Sequence, residues 1–346
     1  MTYCPSCSQG RDGFLVVSPD PFVRETLGLS STDIPVSLRD EPVRLYDSHT
    51  AWLEERHFYG LLEYWERYFK PRTWSFRKMS EPEGVPAVLP DALGWNWILT
   101  HAPKVWIDEL IGENRIRMHF QPIVDVKSSR SLVGYELLAR GIDPSGGLIS
   151  PAILIDEAKN QNRLFHLDRA CRIQAIRTAD RQSVPDVLFF INFIPSVIYV
   201  AEHCLETTFK ALKECRISPY RIVFEVTESE FVRDLDHLKS ILRYYRTHGL
   251  RYALDDVGEG HNTLETLRYL EPDIVKLDRK WVSHVDRDPK KREVALATLE
   301  TARSVGATAL AEGVERNEEA EVLKDMGYFW QQGYLYGKPA ETPLIP

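Results

Sequence analysis

Short apolar runs and longer amphipathic stretches alternate over the last two thirds of the chain. The runs have the length and apolar content of buried strands, and they occur at 118–125, 131–139, 186–193, 221–228, 251–256, 273–278, 307–313 and 330–337. The stretches between them carry apolar residues at helical spacing, at 151–180, 202–215, 229–248 and 290–305. Strands that alternate with helices favour a parallel sheet. About eight strands over this length favour a closed (β/α)8 barrel of the TIM type over an open doubly wound sheet.

The first 105 residues follow a different pattern. FLVVS at 14–18 predicts a strand, the amphipathic stretch 51–69 predicts a helix, and the Pro- and Gly-rich segment 71–94 is typical of a loop or linker. We therefore predict a smaller α+β domain of unknown role at 1–105 and the barrel at 106–346. The beginning of the chain is also rich in aromatic residues, because six of the eight tryptophans lie within its first 106 residues: Trp52, Trp65, Trp74, Trp95, Trp97 and Trp106.

Three interpretations of these tryptophans stay open. Large aromatic side chains can fill the thin core of a small domain. Alternatively, they form a face that packs on the barrel or on another subunit, or they hold a bound chromophore. The sequence pattern does not choose between these alternatives.

Acidic or amide side chains stand at or just after five of the predicted strands, and a sixth strand carries Lys276 in the same kind of position. The five segments contribute Glu136, Asn192, Glu225, the pair Asp255 and Asp256, and Glu312. Hard oxygen ligands from successive strand ends are what a barrel needs to hold Mg²⁺ or Mn²⁺ at its mouth. A single strand-end carboxylate more often caps the helix that follows it. Their regular recurrence predicts a metal-dependent hydrolase.

The charge and hydropathy of the chain restrict its partners. A net charge of −8 argues against a nucleic-acid polymer or an anionic membrane surface as the main partner. No basic, apolar and small-residue pattern of a signal peptide follows Met1. The most apolar stretch, at 187–200, is too short to span a bilayer and contains Asn192 and Pro195. We therefore expect a cytoplasmic protein without membrane insertion.

The five cysteines form no disulfide framework, because their number is odd and their spacing irregular. Cys4 and Cys7 make a single Cys-x-x-Cys, which is at most half of a zinc site. His49, His57 or the same pair from a second subunit could complete it, but a frayed terminus without a role is the favoured interpretation. The remaining three are predicted to be buried structural thiols: Cys171, Cys204 and Cys215.

Eight motifs carry a resemblance to a known family. In chain order they are QPIVD, YELLAR, INF, EVTE, DDxG, KLDR, AEGVE and QGYLYGKP. In order and spacing they resemble the EAL-domain family, phosphodiesterases of the bacterial second messenger cyclic di-GMP. The resemblance covers residues 112–342 and implies a (β/α)8 barrel, two Mg²⁺ or Mn²⁺ ions, cyclic di-GMP as substrate and a homodimer formed through the barrel.

The resemblance also implies roles for individual residues. It makes Glu136, Asn192, Glu225 and Asp255 the ligands of the first metal, with Asp255 bridging to a second metal held by Asp256. Lys276 would hold the attacking water, and Glu312 would be a general base or a second-metal ligand. Glu228 would brace the loop after the paired aspartates. Substrate contacts would come from Gln121, Arg140, Asp278 and Gln332, although a salt bridge with Arg279 or Lys280 is an equally good interpretation of Asp278.

Two departures from the family pattern concern the site. Glu-Ala-Leu is replaced by Glu136-Leu137-Leu138, and the usual DDFGTGYSSL becomes DDVGEGHNTL, with changes at 257, 259 and 261–263. The second change affects a loop that in this family orders the second metal site and connects to the dimer surface. Because no ligand residue is lost, catalysis is the favoured prediction. The alternatives are a cyclic di-GMP receptor that signals through its N-terminal domain, and a scaffold with a vestigial pocket.

Overall fold

The computed structural model describes residues 12–344 of this chain, except for 20–42, 55–57, 60, 63–64, 66–68, 70, 72, 81–91, 102–105, 129, 162, 183–185, 196–197, 199–204, 228–234 and 258–263. The chain divides into two compact units. The first consists of residues 1–109 with 156–165, and the second of residues 110–155 with 166–346. Cys4, Cys7, Cys204, His57 and Glu228 lie outside the described residues.

The first unit contains an antiparallel four-stranded sheet in the order β2-β3-β1-β4. The strands are β1 (Asp12–Val17), β2 (Val43–Asp47), β3 (Thr50–Glu54) and β4 (Ser75–Ser80). β1 is central because FLVV is fully apolar, and Phe14, Leu15 and Val16 are completely buried. Helix α1 (Trp95–His101) follows the sheet.

Two predictions for this unit are wrong. Residues 51–54 belong to β3, and the first helical residue that the structure describes in this stretch is Phe58, so the predicted helix at 51–69 began too early. Segment 71–94 is not simply a loop, because it contains β4, which pairs with β1. Its prolines and glycines flank the strand rather than interrupt it, and the completely buried Phe76 anchors the strand to the core.

Aromatic side chains fill the core of the first unit, as expected if large rings compensate for a thin core. Phe14 stacks on Phe58 with ring centroids 3.9 Å apart, and Trp65 meets Trp74 edge to face at 5.2 Å. Trp52, Trp65, Trp74 and Trp95 are buried, whereas Trp97 is exposed.

The second unit is the predicted closed barrel, with eight strands paired in a ring. Its strands are β5 (Ile116–Asp125), β6 (Ser131–Ile142), β8 (Leu188–Phe193), β9 (Ile222–Thr227), β10 (Arg251–Val257), β11 (Ile274–Leu277), β12 (Thr308–Ala311) and β13 (Trp330–Gln332). Neighbours pair in the order β6-β8-β9-β10-β11-β12-β13-β5, and β5 pairs with β6 to close the ring. The short β7 (Leu148–Ile149) flanks β6.

The prediction of a parallel sheet is wrong for one strand. β5 runs antiparallel to both of its neighbours, β6 and β13, while the other neighbouring strands of the ring are parallel. A short turn joins β5 to β6, and a turn of this length permits only an antiparallel pair, since a parallel pair needs a long crossover.

Helices lie between the strands along the chain, some within the stretches that the periodicity predicts at 151–180, 202–215, 229–248 and 290–305, and others outside them at 106–112, 264–270, 279–282 and 317–326. They are α2 (Trp106–Gly112), α3 (Pro151–Asn160), α4 (Leu164–Asp180), α5 (Glu206–Glu214), α6 (Leu235–Thr247), α7 (Leu264–Leu270), α8 (Arg279–Val282), α9 (Pro289–Ser304) and α10 (Asn317–Met326). Outward-facing strand residues pack under them, as Phe224 does in stacking on Tyr245 of α6 at 4.4 Å. None of the described helices combines the length and apolar character needed to cross a bilayer.

The described cysteines Cys171 and Cys215 are free. The prediction of a buried thiol is confirmed for Cys171 and is wrong for the partly exposed Cys215. Burial, followed by the negative charge of Asp168, raises the pKa of the Cys171 thiol to about 12. A thiol with this pKa is protonated and unreactive at neutral pH.

A layer of apolar side chains fills the barrel beneath its mouth. The buried members are Ile123, Leu188, Phe190, Val223, Ala253, Ile274 and Leu310. Because strand side chains alternate between the two faces, the residue two positions further along each strand also points inward. This period places Asn192, Glu225, Asp255, Lys276 and Glu312 directly above the apolar layer.

Candidate active site

Four neighbouring strands bring together the four predicted first-metal ligands. Glu136 lies on β6, Asn192 on β8, Glu225 on β9 and Asp255 on β10. In the register of the barrel, Glu136 is opposite Phe190 and Asn192 is opposite Glu225. Glu136, Glu225 and Asp255 are buried, and Glu225 is completely inaccessible. Apolar strands thus carry charged groups into a region from which water is largely excluded.

Two amide side chains hold the carboxylates in place. The Asn192 amide nitrogen lies 3.1 Å from Glu136 Oε1 and 3.3 Å from Glu225 Oε2. The Gln332 amide on β13 donates to Glu136 Oε2 at 2.6 Å. Glu136 therefore has a partner on each oxygen, and Gln332, predicted as a substrate contact, positions this carboxylate.

Lys276 lies at the centre of the cluster and is completely buried. Its ammonium nitrogen is 2.5 Å from Glu225 Oε1 and 3.1 Å from Asp255 Oδ1, and it also contacts Glu312 Oε1. Burial alone would lower the pKa of Lys276, but the negative charges of Asp255, Glu136 and Glu225 outweigh it and raise that pKa above its ordinary value. Lys276 is therefore charged at neutral pH.

Negative charge exceeds positive charge in this cluster. Burial, and then the proximity of Glu136 and Asp255, raises the pKa of Glu225 well above its ordinary value, although Lys276 opposes this shift. A single ammonium group thus does not compensate the carboxylates around it. The arrangement favours uptake of a further cation, because a divalent ion would stabilise the ionised forms.

The donor set of the cluster fits a hard divalent cation. Oxygens of Glu225, Asp255 and Glu312 lie within 4.8 Å of one another. No His or Cys belongs to this group, and carboxylate and amide oxygens are the ligands that Mg²⁺ and Mn²⁺ prefer. Within the described part of the chain, the buried Gln332 Oε1 accepts no hydrogen bond, so the site retains an unused oxygen acceptor.

A β-bulge at the end of β10 separates the paired aspartates. The register with β11 shifts between Leu254 and Val257, and Asp256 adopts a left-handed backbone conformation with φ 56°. An extra residue in one strand re-aims the side chains beside it. Asp residues tolerate this conformation better than most, and the Asp256 amide donates to Asp255 Oδ1 at 3.0 Å.

The Asp256 carboxyl group lies in an acidic environment. Burial, followed by the negative charge of Asp255, raises the pKa of Asp256 to about 7, against the opposing effect of Lys276. Asp278 adds to this shift through its charge and a side-chain hydrogen bond.

Asp278 also caps the short helix α8. Its side chain accepts a hydrogen bond from the Lys280 backbone at 2.8 Å, and Arg279 pairs with Glu315 at 2.7 Å instead of with Asp278. Asp278 is thus held at the rim by its helix and by Asp256.

Gln121 and Arg140 lie at the rim near Glu136. Gln121 on β5 is directly opposite Glu136 in the antiparallel ladder. Arg140 is further along β6, where its guanidinium donates to the backbone oxygen of Ala139 at 2.8 Å. Burial lowers the pKa of Arg140, and the electrostatic effects of Glu136 and Tyr334 partly oppose this shift. The Arg140 charge therefore lies close to both side chains.

Glu312 reaches the cluster through a turn that only glycine fits well. The Glu312 amide continues the ladder by donating to Leu277 O at 3.1 Å, and Gly313 follows with φ +65°. A Cβ on Gly313 would lie 2.4 Å from Arg279 Cγ.

Some predicted residues cannot be placed, and one relevant residue was missed. Glu228 and the altered loop at 258–263 lie outside the described residues, so their roles stay predictions. Asp168, which contacts the end of β8, was not identified from the sequence. Its only signal is a four-residue spacing to Arg172 on α4, which is common on helix surfaces.

Comparison with known proteins identifies the family. The profile of the EAL domain matches residues 105–339. A relative from Escherichia coli K12, "Probable cyclic di-GMP phosphodiesterase PdeG", is 31% identical over 246 residues, which are 68% of this chain and 47% of the relative. The chain therefore spans about half the length of this curated relative.

Two solved structures resemble the barrel. A standalone EAL protein from Vibrio cholerae O395 in its c-di-GMP-bound form is 34% identical, with a TM-score of 0.61 over 67% of this chain and 95% of that chain. Bacillus subtilis YkuI, in complex with substrate c-di-GMP and calcium, is 27% identical, with a TM-score of 0.58 over 71% of this chain and 57% of that chain. Fold, strand-end residues and profile agree, and this chain belongs to the EAL domain family.

Proposed function

We propose that this chain hydrolyses cyclic di-GMP to the linear dinucleotide pGpG with two bound Mg²⁺ or Mn²⁺ ions. The single observation that carries the proposal is the buried cluster in which Lys276 contacts Glu225, Asp255 and Glu312. The cluster contains more carboxylates than the Lys276 ammonium group can neutralise, so it would form a cation site at the mouth of the barrel. The relatives named for cyclic di-GMP support the choice of substrate.

The chain's own side chains would divide the metal ligands between two positions. Glu136, Asn192, Glu225 and Asp255 would hold the first ion. Asp255 would also hold the second ion, together with Asp256. Asn192 would have to present its amide oxygen, and a half-turn of the amide achieves this by exchanging the donor for the acceptor. Bound ions of this type lower the pKa of water and neutralise the charge that develops on a phosphodiester.

Lys276 and Glu312 would handle the water and its proton. The Lys276 ammonium is a donor fixed between three carboxylates, so it can orient a water oxygen without moving. Glu312 is the most exposed of its three partners, with 17% side-chain exposure against 0% for Glu225 and 9% for Asp255. It is therefore the best placed to accept a proton and pass it to solvent.

Substrate binding would involve the rim. The planar guanidinium of Arg140 suits a phosphate oxygen. Gln121 and Asp278 offer polar groups on opposite parts of the rim for the nucleotide. The N-terminal unit is proposed to regulate the barrel, and a homodimer through the barrel and a cytoplasmic location stay predictions from the sequence.

Calorimetry and product analysis together test this function. Titration of cyclic di-GMP in Ca²⁺ should give binding, and incubation in Mn²⁺ followed by chromatography should give pGpG. Binding without product would instead indicate a receptor, and absence of binding would indicate a scaffold.

A further inference from the structure

A buried ion pair lies behind the strand that carries Asn192. Asp168 and Arg172 are one turn apart on α4, with side-chain exposures of 2% and 0%. Arg172 Nη2 lies 2.8 Å from Asp168 Oδ2, and Arg172 Nη1 donates to Thr208 Oγ1 on α5 at 2.5 Å. Two charges are costly to remove from water, and such a pair often stabilises a fold no better than apolar side chains would. Stability alone therefore gives a weak reason for this pair.

The second oxygen of Asp168 contacts the main chain at the end of β8. Asp168 Oδ1 accepts a hydrogen bond from the Ile194 N–H at 2.9 Å. The ladder between β8 and β9 ends at the pair Phe193 and Val226. The Ile194 amide is thus the first donor beyond the ladder, and Pro195, which follows it, has no N–H to donate. Asp168 takes the place of the missing strand partner.

Ile194 is only two residues beyond Asn192. Between them, Phe193 points outward and meets Phe224 and Tyr245 edge to face, at 6.0 and 5.3 Å. The outward ring and the captured amide together fix the last peptides of the strand. The direction in which Asn192 projects into the cluster therefore depends on both.

We infer that Asp168 is a positioning residue for Asn192. Its carboxylate, held by Arg172 and Thr208, fixes the end of β8 and so sets the place of the Asn192 amide beside Glu136 and Glu225. This inference rests on the proposed metal site, to which Asn192 contributes. Groups that orient metal ligands commonly change metal affinity by about 10- to 100-fold when they are removed.

Two double variants separate the hydrogen bond from the ion pair. Asp168→Leu/Arg172→Met removes the acceptor for the Ile194 amide, while Asp168→Asn/Arg172→Met keeps an acceptor. Neither leaves the Asp168 carboxylate or the Arg172 guanidinium buried without the other. Tyr328→Phe is the control, because it removes a buried hydrogen bond to Ala295 O, away from β8. The readouts are Mn²⁺ affinity by calorimetry and thermal stability, both on the full chain.

We expect Asp168→Leu/Arg172→Met to bind Mn²⁺ about tenfold more weakly than wild type. The variant with Asp168→Asn and the control should differ from wild type by less than about twofold, whatever their stability. Equal Mn²⁺ affinity of the two double variants would overturn the inference, and so would absence of Mn²⁺ binding by the wild type. Wild-type turnover is measured separately, so a chain that binds Mn²⁺ without cleaving cyclic di-GMP overturns the proposed hydrolysis alone.

If the double variants do not fold, Thr208→Val tests the same network more mildly. It removes the hydrogen bond that fixes Arg172, and Mn²⁺ affinity should fall by about threefold, because the ion pair then holds Asp168 less firmly. Unchanged affinity in this variant would overturn the inference.

Discussion

Lys276 Nζ and Glu225 Oε1 lie 2.5 Å apart, and both side chains are completely buried at the mouth of the barrel. The contact is the centre of a cluster that also contains Asp255 and Glu312. Burying these charges opposes folding unless each has a partner. The arrangement is therefore suited to a bound cation that balances the remaining negative charge of the carboxylates.

Removal of the Lys276 charge should destabilise the metal-free protein. Lys276→Met leaves three carboxylates without a cation, and we expect a loss of about 3 kcal/mol in the free energy of unfolding. Urea unfolding in EDTA measures this change, and Lys213→Met, at an exposed position on α5, is the control. Equal stability of the Lys276 variant and wild type would contradict the account of the cluster.

Loss of a first-metal ligand should affect turnover, whereas loss of a rim residue should affect binding. Asn192→Ala or Glu225→Ala should each remove most of kcat, because each takes one oxygen from the first metal position. Arg140→Ala should mainly raise KM, since its proposed partner is a phosphate oxygen. Steady-state kinetics separates the two effects, and an Arg140→Ala enzyme with unchanged kcat and KM would exclude that role.

The acid stability of the barrel should depend on Asp286 and Glu319. Burial alone would raise their pKa values, but contacts with Arg316, and for Glu319 also backbone amides including that of His284, hold both pKa values below their ordinary range. A depressed pKa in the folded state adds stability above the unfolded pKa, and this stability is lost as the pH falls through the folded pKa.

Unfolding midpoints measured between about pH 5 and pH 2 should therefore fall less steeply in Glu319→Gln than in wild type. Asp325→Asn changes an exposed carboxylate of the same helix, α10, and is the control. Parallel curves for wild type and Glu319→Gln would show that this carboxylate does not contribute to acid stability.

Restoration of the usual family residues at 257, 259 and 261–263 should raise the rate of hydrolysis. The altered loop gains Glu259 and His261, and we expect slow turnover that depends on how well the loop is ordered. Each tenfold gain in kcat would correspond to about 1.4 kcal/mol of barrier. First-metal affinity, measured by calorimetry, should not change. An unchanged rate in the variant with the restored loop would rule out the proposed dependence of turnover on this loop. A monomer with turnover typical of the family would rule it out as well.

The barrel and most of its mouth could be predicted from the sequence because one period governs both. Inward-facing positions alternate along each strand, so the apolar run that identifies β9 also places Glu225 at its end. The direction of β5 could not be predicted in this way, since an apolar run has the same pattern in either direction. β4 was missed because the prolines and glycines on both sides of it indicate a loop, and this signal was given more weight than the short strand pattern around Phe76.

Contacts between distant elements were beyond the sequence. The i, i+4 spacing of Asp168 and Arg172 is typical of a solvent-exposed pair, and only the packing of α4 against β8 makes it a buried contact of the Ile194 amide. The convergence of three carboxylates on Lys276 likewise depends on the pairing of β9, β10, β11 and β12 side by side, which brings residues from separate parts of the chain together.

The most direct test of the central claim is the metal dependence of product formation. The purified chain is incubated with cyclic di-GMP in EDTA, and again after addition of Mg²⁺, Mn²⁺ or Ca²⁺, and the products are separated by chromatography, with Asn192→Ala as the inactive control. The account predicts no pGpG in EDTA, formation of pGpG in Mg²⁺ or Mn²⁺, and little in Ca²⁺, whose looser coordination geometry positions water poorly. Full hydrolysis in EDTA, or no pGpG in Mg²⁺ or Mn²⁺, would contradict it.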